Sequence, residues 1–337
     1  MRVFLTHTDA SFGLYFGRRA LEALQGRAEV VRNGTGVVLQ GEGLARAAAG
    51  CEVVIADRAT AGTAAAFAAA PDLLAFLRCA VDISTVDVAA ASAYGILVTR
   101  ATPGFTDAVA ELGIGVMIAL ARNLTGAADA SPSGPTRPQM GVQLSAATLG
   151  LVGFGRIPRR LAALAQAFGM TVLAHDPHAP ADAPGVASVS LGHLLAQADF
   201  VVCLAAATPG TANLMDSRAF DRMKQGSRFI NLARGELVDD AALEAALDSG
   251  RLAGAALDVG RAPDQMPSPR LARRPDVLAT PHIGGLTRQA AEHQAMDTVR
   301  QVASLAAGTM PEGAANPASC HRLLRLWGRD DPGASLP

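Results

Sequence analysis

A chain of 337 residues is long for one domain and comfortable for two. Half of its residues are hydrophobic but 4% are aromatic, so its cores are built from Ala, Val and Leu. With 29 basic and 30 acidic residues and a net charge of −1, it has no electrostatic signature of a nucleic-acid or membrane surface. From residue 1 to about residue 100, short apolar runs alternate with alanine-rich helical stretches. Strands are predicted at Val3–Thr6, Glu29–Arg32, Glu52–Ala56, Leu73–Leu77 and Ile96–Thr99, with helices such as Gly13–Leu24 and Ala61–Ala70 between them. That alternation predicts an α/β layer of parallel strands. Thr106–Asn123 reads as one long helix with apolar residues on most faces, buried between two domains or two subunits. Ala127–Ser145, which contains Pro132, Pro135 and Pro138, reads as the clearest loop.

The next stretch carries the strongest local signal. Leu149–Val152 is a short apolar strand that stops at Gly153-Phe154-Gly155, and a helical pattern (Ile157, Leu161, Leu164, Phe168) begins at once. A second strand, Thr171–Ala174, leads to Asp176. Strand, glycine turn, helix, strand, acid is the arrangement that grips a dinucleotide. Gly153 permits the tight turn, and Gly155 has no Cβ, so backbone can approach a pyrophosphate at the helix N-terminus. Asp176, roughly 20 residues beyond Gly155, is at the distance of a carboxylate that accepts from a ribose 2′-hydroxyl. The third glycine of the pattern is replaced by Pro158, which is tolerable in a first helical turn because no intrahelical hydrogen bond is lost.

Further strands are expected at Phe200–Leu204, Arg228–Leu232, Ala253–Leu257 and Val277–Ala279. A last long helix follows over Leu286–Ala307, then a turn at Arg322–Trp327 and a frayed tail over Asp330–Pro337. Cys51, Cys79, Cys203 and Cys320 are far apart, and read as buried free thiols of a reducing compartment. No metal is expected. The first strand turns polar too soon for a signal peptide, and the longest apolar run, Leu112–Leu120, is too short to span a bilayer; a cytoplasmic location is expected.

Three polar clusters follow strands of this second region, where ligands of doubly wound sheets sit. Arg234 comes directly after a buried strand, and its planar fork suits a carboxylate; the competing reading is a surface arginine paired with Glu236 or Asp239. Asp258 is an acid inside an apolar run, either a cap or turn former or a group able to accept a nicotinamide carboxamide N–H. His282, after Thr280-Pro281, is a loop residue when taken alone. In a nucleotide domain that also contains Arg234 it becomes the natural proton carrier.

Taken in order, these motifs resemble the D-isomer-specific 2-hydroxyacid dehydrogenase family over nearly the whole chain. They are Gly150-Leu-Val-Gly-Phe-Gly-Arg-Ile, His175-Asp176-Pro177, Thr208-Pro209-Gly210-Thr211, Asn231-Leu-Ala-Arg-Gly-Glu-Leu-Val-Asp, Leu257-Asp258-Val259 and Thr280-Pro-His-Ile-Gly-Gly. The resemblance implies two doubly wound parallel-sheet domains: a flavodoxin-like substrate domain (1–102 plus 286–337) and a Rossmann cofactor domain inserted in it (103–285). It implies an oxidoreductase passing a hydride between NAD(H) and a small D-2-hydroxy acid or 2-keto acid. NAD is expected over NADP, because Asp176 repels a 2′-phosphate. Arg234 matches the arginine that orients the substrate carboxylate, and His282 the general acid–base. Gly153, Phe154, Gly155, Arg156, Ile157, Asp176, Thr208, Ala233 and Asp258 fall at cofactor-binding positions. Ala80, Val81 and Asp82 match the substrate loop, and a homodimer is implied.

Two departures stand out. The family's glutamate after Leu-Asp-Val aligns with Ala262, one residue having been deleted, and Asp264 is the nearby acid. The family's Gly-Val-Gly substrate loop is here Ala80-Val81-Asp82. These changes keep two alternatives open: a nucleotide-responsive binding protein with weakened catalysis on the same scaffold, and a related dehydrogenase for another small anion such as formate or phosphite.

Overall fold

A computed structural model describes residues 1–130, 140–178, 180, 182–262 and 265–329. The chain forms two compact units, one of Met1–Gly104 with Thr287–Pro337 and the other of Phe105–Leu286.

The first unit is built on five parallel strands: β1 (Arg2–Leu5), β2 (Glu29–Arg32), β3 (Val53–Ala56), β4 (Ala75–Arg78) and β5 (Leu97–Arg100). Their order is β2-β1-β3-β4-β5, so the direction of winding reverses between β1 and β3. Every residue of β3 and β4 is buried, as a parallel strand covered on both faces requires. Helix Arg288–Ala306 covers one face, placing Ala295, Val299, Val302 and Leu305 among Val3, Leu5 and Leu77. The outer edge of β5 is closed by chain from the far end of the sequence. Arg100 N donates to Gly313 O at 3.0 Å, Val98 N to Asn316 Oδ1 at 2.8 Å, and Ala315 N to Val98 O at 2.8 Å. The expected helix Gly13–Leu24 is two helices, Asp9–Tyr15 and Arg18–Gln25. The break falls at Gly17, whose φ of 86° no continuing helix adopts.

The second unit holds seven parallel strands: β6 (Thr148–Val152), β7 (Thr171–His175), β8 (Val186–Ser188), β9 (Phe200–Cys203), β10 (Ser227–Asn231), β11 (Leu252–Leu257) and β12 (Val277–Ala279). The order β12-β11-β10-β9-β6-β7-β8 reverses between β6 and β9. Strand β8, short and largely exposed at the edge, has no apolar run to betray it. Helix Thr106–Arg122 ends at Asn123, which takes a left-handed φ of 47°. Much of its apolar surface is satisfied within this unit, because Gly113 lets Leu161 of helix Arg156–Ala167 approach to where a Cβ would be 3.1 Å away. The expected loop at Ala127–Ser145 is partly helical, since helix Leu124–Ala130 occupies its start and a 3-10 turn at Leu144–Ala146 its end. Its proline-rich middle, and the tail over Asp330–Pro337, lie outside the described residues. All four cysteines are buried and unpaired, and burial pushes the Cys79 and Cys203 thiols up to about 12, so they remain protonated. Among the described residues no helix is long and apolar enough to cross a membrane.

Candidate functional site

The turn after β6 has the geometry of an anion cradle. Gly153 sits at φ 91°, and a Cβ there would lie 2.8 Å from the Ala205 backbone, so only glycine fits. Gly155 caps helix Arg156–Ala167 without any side-chain hydrogen bond, and nothing lies within 4 Å of where its Cβ would be. Open space thus lies beside Gly155 at the positive end of a helix dipole, where the first N–H groups of a helix have no intrahelical partner. Pro158, buried in that first turn, fits the helix. The residues present therefore suit a pyrophosphate.

At the end of β7, Asp176 Oδ2 accepts the Phe154 N–H at 2.9 Å and Oδ1 the His178 N–H at 2.9 Å. The acid thereby ties the glycine turn to the neighbouring strand. Past β9, Thr208 caps a short turn with Thr211: Thr208 N donates to Thr211 Oγ1 at 2.8 Å.

The next three strands, β10, β11 and β12, are parallel neighbours, so their carboxyl ends share one edge of the sheet. Each end carries one of the polar residues singled out in the sequence. After β10, the buried Asn231 side chain accepts Ala233 N at 3.0 Å and donates to Arg234 O at 2.9 Å, fixing the backbone on which Arg234 stands. Arg234 is exposed, donates to Ala233 O at 2.7 Å, and makes no ion pair with Glu236 or Asp239 among the described residues. After β11 comes Asp258, 2% exposed. Its Oδ1 accepts the Thr280 hydroxyl at 2.6 Å and Ile283 N at 2.7 Å, and its Oδ2 accepts Gly284 N at 2.7 Å. These donors flank His282, which follows β12 and is held at a left-handed φ of 54°. A non-glycine residue in that region stores strain that surrounding bonds must hold. Ala262 is half-buried, and its carbonyl accepts Gln265 N at 2.7 Å. Asp264 lies outside the described residues.

In the first unit, the loop after β4 carries Ala80, Val81 and Asp82. The Asp82 carboxylate accepts both Ser84 N at 2.9 Å and Ser84 Oγ at 2.8 Å, so this acid turns onto its own loop. Beneath it, the buried Arg78 donates to the carbonyls of Asp57, Arg58, Thr60 and Asp82 and to the Thr85 hydroxyl.

Residues 114–284 match the family described as D-isomer specific 2-hydroxyacid dehydrogenase, NAD binding domain. The chain belongs to this family. It is 37% identical over 284 residues to D-3-phosphoglycerate dehydrogenase 2, chloroplastic, of Arabidopsis thaliana, covering 82% of this chain and 46% of that one. It is 36% identical over 271 residues to D-3-phosphoglycerate dehydrogenase of Mycobacterium tuberculosis, covering 79% and 51%. The chain thus spans about half the length of the curated relatives it matches. Among solved structures, the TT0316 protein from Thermus thermophilus superposes with a TM-score of 0.79 at 33% identity, over 94% of this chain and all of that one. D-2-hydroxyisocaproate dehydrogenase, at 22% identity and a TM-score of 0.82, shares the fold.

For this 2-hydroxyacid dehydrogenase family member, the second unit is the NAD-binding one. The sequence marks Asn231 only as the start of a motif and Arg78 not at all, because a side chain that braces backbone looks like any polar residue ending a strand.

Proposed function

We propose that the protein is an NAD-dependent dehydrogenase of a small D-2-hydroxy acid, working in either direction between that acid and its 2-keto form. The observation that supports this most is the placement of Arg234 and His282 after β10 and β12, with Asp258 after β11, the strand between them. NAD, when bound, supplies or accepts the hydride. Arg234 holds the substrate carboxylate by two parallel hydrogen bonds, which fixes the reacting carbon. In reduction His282 gives its proton to the carbonyl oxygen as that oxygen gains charge; in oxidation it takes the hydroxyl proton. The Ala80–Asp82 loop is assigned to substrate contact, and the engagement of the Asp82 carboxylate by Ser84 lessens the repulsion that an acid there threatens.

A binding protein with weakened catalysis is the second reading, favoured by Ala262 at the family's glutamate position. The two separate on one experiment. NADH oxidation is followed with glyoxylate, hydroxypyruvate, phosphohydroxypyruvate and branched 2-keto acids, beside a fluorescence titration of NADH. Turnover of at least one acid is expected; NADH binding with no turnover of any acid favours the second reading. A cytoplasmic homodimer belongs to the same proposal, and light scattering of the purified protein tests the dimer.

A further inference from the structure

Arg261 stands where the shortened loop after β11 passes the turn that follows β10. Its Nε donates to Val238 O at 3.0 Å. Its Nη2 donates to Val238 O at 2.7 Å, to Glu236 O at 3.0 Å and to the Asn213 side-chain oxygen. Asn213 is itself held to that turn, since its N–H donates to Glu236 O at 2.9 Å, and it takes a left-handed φ of 53°. One guanidinium therefore joins three successive loops at the carboxyl end of the sheet: the loop after β9 that contains Thr208, the turn that begins at Arg234, and the loop that begins at Asp258. The backbones of two of them touch. A Cβ on Gly235 would overlap the Gly260 carbonyl, so these segments are packed glycine on glycine with no side chain between them. Gly260 is equally confined on its other side, where a Cβ would overlap the Met266 carbonyl oxygen.

We infer that Arg261 is a positioning residue for the proposed reaction, locking the Arg234 turn and the Thr208 loop in register so that Arg234 meets the substrate carboxylate. The inference rests on the function proposed above. A planar fork suits this task. It reaches carbonyls two residues apart and a side-chain amide at once, and its charge strengthens each bond. A lysine at the same place is a point charge that satisfies one acceptor at a time. Arg261 is exposed, so a small cation in solution can enter the place left by its removal.

The test compares Arg261→Ala and Arg261→Lys with the unchanged protein. The readouts are kcat and KM for glyoxylate and hydroxypyruvate, NADH affinity by fluorescence, and amide hydrogen exchange over residues 208–215 and 234–240. For Arg261→Ala, KM for the keto acid is expected to rise about tenfold, with kcat and NADH affinity within about twofold, the pattern of weakened binding of the substrate carboxylate and not of a damaged fold. Exchange should rise in both segments and stay unchanged over 148–157. Added methylguanidinium should restore KM and protection, whereas Arg261→Lys should recover little. If Arg261→Ala does not fold, Asn213→Gly removes one acceptor while keeping the left-handed backbone, and a KM rise of about threefold is expected. An unchanged KM, or a fall of kcat, NADH affinity and stability together without methylguanidinium rescue, overturns the inference. Should the unchanged protein reduce no acid, the proposed function falls. The exchange data still decide whether Arg261 holds the two segments, and unaltered exchange overturns that as well.

Discussion

The Asp258 carboxylate and the Thr280 hydroxyl meet at 2.6 Å, and the same carboxylate collects the N–H groups of Ile283 and Gly284. Asp258 thereby grips the segment that carries His282 on both sides of the histidine. Asp258→Asn keeps one acceptor oxygen and turns a donor toward the remaining N–H groups, which costs about 1–3 kcal/mol. A lower urea midpoint is expected, with kcat falling by more than about tenfold and NADH affinity changing by less than about threefold. Lost NADH affinity with an unchanged urea midpoint assigns Asp258 to the cofactor instead.

Arg234→Lys keeps the charge and loses the fork. Substrate orientation should suffer, so kcat/KM falls by about a hundredfold while NADH affinity holds. A variant that retains most of the kcat/KM removes Arg234 from the role proposed here.

The two glycines of the cradle should fail differently. Gly153→Ala forces a Cβ to within 2.8 Å of backbone at a φ of 91°, so both stability and NADH binding drop. Gly155→Ala meets open space at a φ of −77°, so the melting temperature stays put while the methyl group occupies the ground a pyrophosphate needs. NADH affinity at least about tenfold weaker at unchanged melting temperature is the expected result for Gly155→Ala.

Cofactor choice follows from Asp176. Its carboxylate repels a 2′-phosphate, and Pro177 and His178 supply no arginine to receive one. NADH should outperform NADPH in kcat/KM, and equal use of both sinks the assignment. Because Asp176 also holds the Phe154 N–H, Asp176→Ala should weaken NADH binding without creating a preference for NADPH.

How far the sequence could be read depended on distance along the chain. The cradle at Gly153–Gly155 was legible because strand, turn and helix are contiguous, and Arg234 and His282 because a polar residue after a buried run marks a strand end. Arg78 and Arg261 act on backbone brought to them by folding, from 18 to 25 residues away, and nothing beside them in the chain announces that. Asp258 was legible as an unusual acid, but its partners lie 22 to 26 residues away. Gly17 looked like one more glycine in a helical pattern until its φ showed a corner.

His7 gives the first unit a pH dependence. It is fully buried against Phe16, and neither ring nitrogen has a hydrogen-bond partner among the described residues. Burial pushes it down to about 4 despite Asp57, with Arg32 and Arg78 adding to the depression. Burial pushes the Asp57 carboxyl up, but hydrogen bonds from Thr60 and Ser11 and the His7 charge hold it below the usual range, so its contribution is lost at lower pH. The unfolded chain therefore takes up a proton at His7 near pH 6.5 that the folded chain refuses until about pH 4. Stability falls across that window as pH drops, by about 3 kcal/mol at its acid end. His7→Phe should flatten the slope of urea stability between those values without loss at neutral pH; an unchanged slope rules His7 out as its source.

The closure of β5 by residues 313–316 sets an order of events during synthesis. Val98 waits for Asn316, 218 residues downstream, before its strand edge is covered. The whole of the second unit leaves the ribosome in that interval, as one uninterrupted segment able to bury its own core. It should fold first, leaving β5 of the first unit with an open edge until residues 313–316 arrive. A nascent chain halted before residue 313 is thus a folded nucleotide-binding unit tethered to an adhesive, half-made sheet, the form in which this protein most needs a chaperone.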